Sequence, residues 1–392
     1  MDDNFRFYEF FAGGGMARAG LGSRWECLFA NDVDQVKASA YIENWGADHF
    51  DNRDIRDVVA ADLDAGGDVA WASFPCQDLS VAGNGLGIGN ADASDWTRSG
   101  ALWPLLELVG DMRLEQRQPP LIVLENVVGL LTLEGGRDFA AICVKLGELG
   151  YRYGAVIIDA KHFVPQSRPR VFIVAIQRDV RLPRGLHNRM ATAAWHTPPL
   201  LKAYECLNEQ ARADWIWWNL GQAPELPENA LVNAIQLNGV DWNTPEETKR
   251  LVSMMAPPHL ARLKAAKQAG SVQIGSLYLR MRREGKANIQ RAEIAFAPTL
   301  GCLRTPRGGA SRPRIIFVEG KKVKTRLVST EEATTLMGLP VDYIFPMFYY
   351  QAFKIIGDGV AVPVVRFLAE RLLEPLSRSA RIALRTDKRR VA

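Results

Sequence analysis

The opening of this chain restricts its fold more than any other stretch. Residues 5–12, FRFYEFFA, form an aromatic-rich apolar run that ends in Gly13-Gly14-Gly15 and passes into MARAGL at 16–21. An apolar run, glycines and then helical spacing read as strand, tight turn and helix. A second apolar run at 25–31 leads into a helical pattern over 33–41, and short runs at 69–73, 121–124, 155–158 and 171–176 alternate with helical stretches such as 101–113 and 136–149. Strands alternating with helices argue for an α/β fold, a mostly parallel sheet covered on both faces. The alternation stops near residue 180. From there to about residue 300 come HTPPL, DWIWWNL and similar Pro- and Trp-rich segments, which predict a separate, irregular module with Trp215, Trp217 and Trp218 as local core. Helical character returns at Ser329, and 350–376 hold Gly357, Gly359 and a final amphipathic helix.

At 392 residues the chain has room for two or three domains. No stretch approaches the ~18–20 apolar residues of a membrane span. MDDNFRFYEFF lacks the basic start and cleavage site of a signal peptide, so a cytoplasmic protein without membrane contact is expected. Cys27, Cys76, Cys143, Cys206 and Cys302 are odd in number and never spaced as CxxC, which argues for reduced thiols and against a disulfide framework or a metal site. The net charge of +4 is too mild to name a polyanion partner. Between 280 and 326, however, Lys and Arg far outnumber Glu284, Glu293 and Glu319, the footprint of a phosphate-tracking surface or of a solvated basic face.

In open α/β sheets a ligand sits beyond the carboxyl ends of the strands, where a glycine turn lets backbone approach it. FAGGGMARAGLG is not a clean GxGxxG and is weak alone. Asp32, after the second strand, is placed to grip ribose hydroxyls, and Asp54, in RDIRDV, to receive an adenine amino group. That pattern suits any adenosine-containing cofactor. WASFPCQDLSVAG narrows the chemistry. Cys76 follows a short apolar strand and Pro75, and precedes NGLGIGNADASDWTRSG, whose glycines suit a lid closing over a substrate. A cysteine at a strand's carboxyl end stands where ligands bind, and its thiolate is a strong nucleophile.

Phe-Pro-Cys-Gln after a strand resembles the catalytic motif of the DNA cytosine-5 methyltransferases. Other motifs of that family follow in order: FFAGGG before it, then NDVD, RDI, RSGALW, LENV, QSRPR, RPRIIF with the helix ending MGLP, and QAFKIIGDGV. The resemblance covers 7–176 and roughly 294–375. It implies a Rossmann-like S-adenosylmethionine-dependent methyltransferase sheet with a smaller, irregular target-recognition domain. The implied division is 1–180 catalytic and cofactor-binding, 181–349 target recognition, and 350–392 returning to the catalytic domain. S-adenosylmethionine would be held by Phe11, Ala12, Gly13, Gly15, Asp32, Val33, Asp54, Ile55, Pro75 and Asp358. Cys76 would attack cytosine C6, Glu125 would meet N3, Arg170 would meet O2, and Arg168 would face the carboxylate or the cofactor side. Gln77, Ser80, Arg98, Arg280, Arg282, Arg283, Arg304 and Arg307 would touch the DNA, with Arg280, Arg282 and Arg283 either reading guanines or holding phosphates. The implied partner is double-stranded DNA, a cognate restriction endonuclease is a candidate partner, and a monomer is expected.

The chemistry explains the combination. Cytosine C5 is a poor nucleophile until a thiolate adds at C6. A carboxyl group at N3, which burial at a strand end would favour in its protonated form, meets the charge pushed on to the ring, and fixed positive charge assists. The base must also leave its duplex. Two positions depart from the family pattern: Asp358 stands where Asn is usual, which predicts weaker backbone hydrogen bonding around the catalytic loop, and Met16 stands where glycine is common. An RNA cytosine methyltransferase on the same scaffold is a rival, but the Cys-Phe-Thr of its transfer-RNA branch is absent, since Leu follows both Cys206 and Cys302. A catalytically weak DNA-binding regulator would be expected to have lost Cys76, Glu125 or an arginine of the pair. A nicotinamide oxidoreductase explains only the glycine turn.

Overall fold

The computed structural model describes residues 4–79, 87–89, 97–285, 287–306 and 312–391. The alternating runs become a seven-stranded sheet of β1 (Phe5–Phe10), β2 (Trp25–Asn31), β3 (Phe50–Asp51), β4 (Val69–Ala72), β5 (Leu121–Val127), β6 (Tyr151–Asp159) and β7 (Pro169–Gln177). Their order is β3-β2-β1-β4-β5-β7-β6. The first five strands are parallel to one another, whereas β7 runs antiparallel to both β5 and β6. Strands such as VAWA and LIVLENV are buried at almost every position, as a sheet covered on both faces requires. Helices α1 (Met16–Leu21), α2 (Gln35–Trp45), α3 (Leu102–Leu114) and α4 (Arg137–Glu148) connect the strands. α2 begins at Asp34 because that carboxylate accepts the otherwise unpaired N–H groups of Val36 and Lys37.

The chain forms two compact units: one of residues 1–159, 169–223 and 360–392, the other of 160–168 and 224–359. The sequence placed its boundaries at 180/181 and 349/350; the units change over at 223/224 and 359/360, and the segment between β6 and β7 belongs to the second.

The first unit contains the large sheet and a short ribbon of β8 (His187–Asn188) and β9 (Trp217–Trp218). Trp218 is fully buried, and Trp215 and Trp217 pack their rings on Tyr204 at 5.2 and 4.7 Å and on each other at 5.3 Å, a local core. The helix Val362–Leu368 lies on α1, where a Cβ at Gly20 would overlap Val365. Arg381 then pairs with Asp68 at 2.6 Å, so the C-terminal helices close this unit.

The second unit is more regular than the sequence suggested. β10 (Gln273–Glu284), β11 (Ala287–Ala295), β12 (Arg314–Glu319) and β13 (Lys322–Leu327) form an antiparallel sheet in the order β11-β10-β12-β13. Leu277, Ile294, Ile316 and Val318 meet Leu251 and Leu263 of the helices Pro245–Ser253 and Pro257–Gln268 in its core. Ser329 and Glu332 cap the next helix reciprocally, and buried Glu332 also pairs with buried Arg326. Among the described residues no helix is long and apolar enough to cross a membrane.

Candidate active site

Register brings the ends of four strands to one edge of the large sheet. Phe10 of β1 pairs with Asn31 of β2 and with Ala72 of β4, and Ala72 pairs with Leu124 of β5. The residues that follow, Phe11, Asp32, the Ser73–Cys76 segment and Glu125, therefore leave from the same carboxyl edge. Antiparallel β7 begins there too, with Arg170 opposite Val127.

The glycine turn is built for close approach. Phe11 holds a φ of 55°, which a side chain adopts only at a cost, and Gly13 a φ of 58° with open space where a Cβ would lie. The Gly13 N–H donates to Asp32 Oδ2 at 2.9 Å and the Asp34 N–H to Oδ1 at 2.9 Å, so the Asp32 carboxylate is locked beside the turn. Burial raises its pKa. Ala12 N–H bonds the Asn31 carbonyl, and Trp45 bonds the Gly14 carbonyl while filling the space beside Gly15. Val33 is 60% exposed next to Asp32, an apolar surface left facing solvent. Asp54 caps a short turn and is held by Arg56, which lowers its pKa, and Ile55 is buried behind it. An open cradle, an acid after β2 and bare apolar surface suit an adenosine-bearing cofactor.

Glu9 was not singled out from the sequence. It is buried within β1, its Oε1 accepts the Arg18 N–H at 3.2 Å, and among the described residues its Oε2 meets no hydrogen-bond donor. Burial raises its pKa to about 8. The available signal was an acid inside an otherwise apolar run.

Cys76 is half-buried beyond β4. Asn126 Nδ2 donates to the Phe74 carbonyl at 3.0 Å, and the Leu79 N–H donates to the Cys76 carbonyl at 3.1 Å. Asp78 and Ser99 bond each other reciprocally, and the missing Cβ of Gly129 admits the Leu79 carbonyl. The residue beside Glu125 thus helps hold the segment that carries the thiol. Glu125 and Arg170 form an ion pair, Nε to Oε1 at 3.3 Å, with their side chains 6% and 13% exposed. Burial pushes the Cys27 thiol up to about 12 and that of Cys143 well above its ordinary value, which leaves both unreactive.

The QSRPR segment divides between the units. Arg168 is buried in the second, donating to the carbonyls of Leu303 and Gly357 at 2.8 and 2.7 Å and to that of Gly359, and to Cys302 Sγ at 3.1 Å. Gln166 bonds the Leu336 carbonyl and the Leu303 N–H there. Asp358 Oδ1 accepts from the Thr305 hydroxyl at 2.7 Å in the same unit. Pro75 lies beside Cys76 and is half-buried.

Of the residues assigned to DNA, Gln77 and Arg98 bond each other at 2.8 Å on the first unit. Arg280 and Arg282 both reach Glu293, and Arg283 and Arg304 are exposed. Ser80, Arg307 and most of the glycine-rich segment read as a lid lie outside the described residues.

The C-5 cytosine-specific DNA methylase family model matches residues 5–374. The type II methyltransferase M.MspI of Moraxella sp is 23% identical over 371 residues, covering 94% of this chain and 70% of that protein. M1.ScrFI, a type II methyltransferase of Lactococcus lactis subsp. cremoris, is 26% identical over 381 residues, covering 96% and 79%. Among solved structures, the S. pombe Dnmt2 methyltransferase matches with a TM-score of 0.55 at 15% identity, covering 95% of this chain and 99% of that one, a likeness of fold.

Proposed function

This chain belongs to the C-5 cytosine-specific DNA methylase family, whose members use S-adenosylmethionine, and from that premise we propose that it methylates C5 of a cytosine flipped out of a defined double-stranded DNA sequence, through a covalent bond between Cys76 and C6. The observation that carries this reading is the buried Glu125–Arg170 pair at the sheet edge beside β4, the strand that leads into Pro75-Cys76.

As the Cys76 thiolate bonds to C6, the C5–C6 electron pair shifts toward C4 and the C4–N3 pair moves on to N3, which takes a proton that the Glu125 carboxylate has picked up from solvent as the base enters. Arg170 keeps the Glu125 carboxyl oriented and would set its positive charge toward O2. Gly13, Asp32 and Val33 would cradle the cofactor's adenosine, with Phe11 against its adenine. Bound S-adenosylmethionine supplies the methyl group as an electrophilic sulfonium carbon. Once C5 carries the methyl group, a solvent base removes the C5 proton, the Cys76–C6 bond breaks to free the thiolate, and N3 returns its proton to Glu125. A candidate partner is a cognate restriction endonuclease, a reading that the type II naming of the relatives supports, and the chain is expected to work as a monomer.

Cys76→Ala is expected to abolish methyl transfer to duplex DNA while DNA binding survives; undiminished turnover would overturn the mechanism. A duplex with 5-fluorocytosine at the target should trap an adduct on Cys76, because release needs loss of the C5 proton. Peptide mapping that placed the adduct on Cys206 or Cys302 would reject the assignment. Methylation of transfer RNA in place of duplex DNA would favour the RNA reading of the same scaffold.

A further inference from the structure

The two longest strands of the second unit continue past their sheet. β10 pairs with β12 only from Gln273 to Leu277, whereas its pairing with β11 runs on to Glu284 and Ala287. Residues 278–284 and 287–293 thus form a two-stranded ribbon beyond β12. Such a ribbon is marginal by itself in water, so something must stiffen it.

Side chains alternate between the faces of a strand, and directly paired residues share a face. One face carries Arg280, Arg282 and Glu284 with Arg291 and Glu293. These groups neutralise one another: Arg280 and Arg282 both reach Glu293, and Arg291 bonds Glu284 at 2.6–2.7 Å. That face is the stiffener.

The other face begins apolar, with Leu277, Ala292 and Ile294 in the core and Leu279 packed against it. Where the helices stop covering it, the same face continues with Met281, Arg283, Asn288 and Gln290. Met281 is 58% exposed, and Arg283 and Asn288 are exposed as well. Among the described residues, the side chains of Arg283, Asn288 and Gln290 make no hydrogen bond or ion pair with the rest of the protein.

We propose that the face of Met281, Arg283, Asn288 and Gln290 enters the DNA major groove and reads base edges. The major groove admits a two-stranded ribbon. Arg matches the paired acceptors of guanine, Asn and Gln match the donor and acceptor of adenine, and an apolar side chain matches the thymine methyl. Phosphate binding would favour cations, and three of these four side chains are uncharged. Arg280 and Arg282, by contrast, hold the ribbon's shape. This assignment rests on the DNA methyltransferase reading above.

The test maps methylated sites, by bisulfite sequencing of a randomised duplex pool, for the wild type and for Arg283→Ala, Arg283→Lys, Asn288→Ala, Gln290→Ala and Arg282→Ala. Each alanine variant of the reading face should lose about 5- to 100-fold in preference at one base pair and keep it elsewhere. Arg283→Lys keeps the charge but not the two-pronged geometry, and should relax the same base pair as Arg283→Ala. Arg282→Ala should leave the preferred sequence unchanged. A wild type that methylates a defined sequence, with reading-face variants that keep the identical preference, overturns the ribbon assignment alone. A change of preferred base in Arg282→Ala instead overturns it too. A wild type that methylates no DNA rejects the functional reading beneath it.

Discussion

Glu9 and Glu125 are both buried carboxyl groups near the same sheet edge, yet their surroundings differ. Glu125 has a guanidinium partner, whereas Glu9 Oε2 has no donor and its pKa rises to about 8 from an ordinary 4.5. Between those values the folded state binds a proton that the unfolded chain has released. Glu9's contribution to stability is therefore fully present below about 4.5, declines as pH rises toward 8, and is lost above it. Glu9→Gln removes this slope. It should gain stability over the wild type near pH 9, by up to about 4 kcal/mol, and gain nothing near pH 4. Denaturant unfolding at both pH values checks this, and equal differences at the two would reject it. At the other carboxyl, Arg170→Ala strips a buried charge of its partner and should cost about 3–5 kcal/mol. Adding Glu125→Gln should recover part of that loss in unfolding while restoring no methyl transfer. A single-variant cost below about 1 kcal/mol would mean that the pair is not the buried unit described.

At the scale of elements, the helix Val362–Leu368 meets α1 with no room for a side chain at Gly20, whose Cβ would overlap Val365. Gly20→Ala should destabilise the protein by about 1–3 kcal/mol through overpacking. Val365→Ala in the same chain should recover little of it, because alanine keeps the overlapping Cβ and the Val362 carbonyl stays close; a full recovery in the double variant would place the strain elsewhere. These elements also show what could be read in advance. β4, β5 and β7 were legible because a sheet covered on both faces makes each strand an unbroken apolar run. The antiparallel course of β7 was not, since burial of both faces looks alike in either direction. β10 escaped because its alternation lasts only to Leu279 and then gives way to MRRE, the ribbon that leaves the core. The QSRPR arginines were legible as a motif, but their division was not: Arg170 sits on β7 with Glu125, and Arg168 bonds carbonyls that lie more than a hundred residues away in sequence. Nothing in local pattern reports such distant partners. Cys76 was visible because a thiol after a strand, followed by Gln and glycines, is a local signal.

Charge is a property of the whole molecule, and here its sequence distribution overstates the surface. The basic stretch from 280 to 326 reads in sequence as a phosphate-tracking surface or a solvated basic face, and its members are unequal. Arg326 is buried against Glu332, Arg291 is bound to Glu284, Lys322 lies near Glu319, and Arg280 and Arg282 share Glu293. A cation already neutralised within the protein releases few counterions when DNA arrives. The exposed Arg304 is different, since no ion pair engages it among the described residues. Each phosphate contact contributes roughly 0.9 to the steepness with which the logarithm of affinity falls against the logarithm of salt. Arg304→Ala should therefore lower that steepness by about one, and weaken cognate and unrelated duplexes alike. Arg326→Ala should instead unfold the second unit's core pairing, because it leaves Glu332 buried without its partner. Titrations of both variants over a range of salt, set beside their unfolding curves, separate the two roles. An unchanged salt dependence in Arg304→Ala would remove it from the DNA surface, and would leave phosphate binding to arginines that the protein has not already paired.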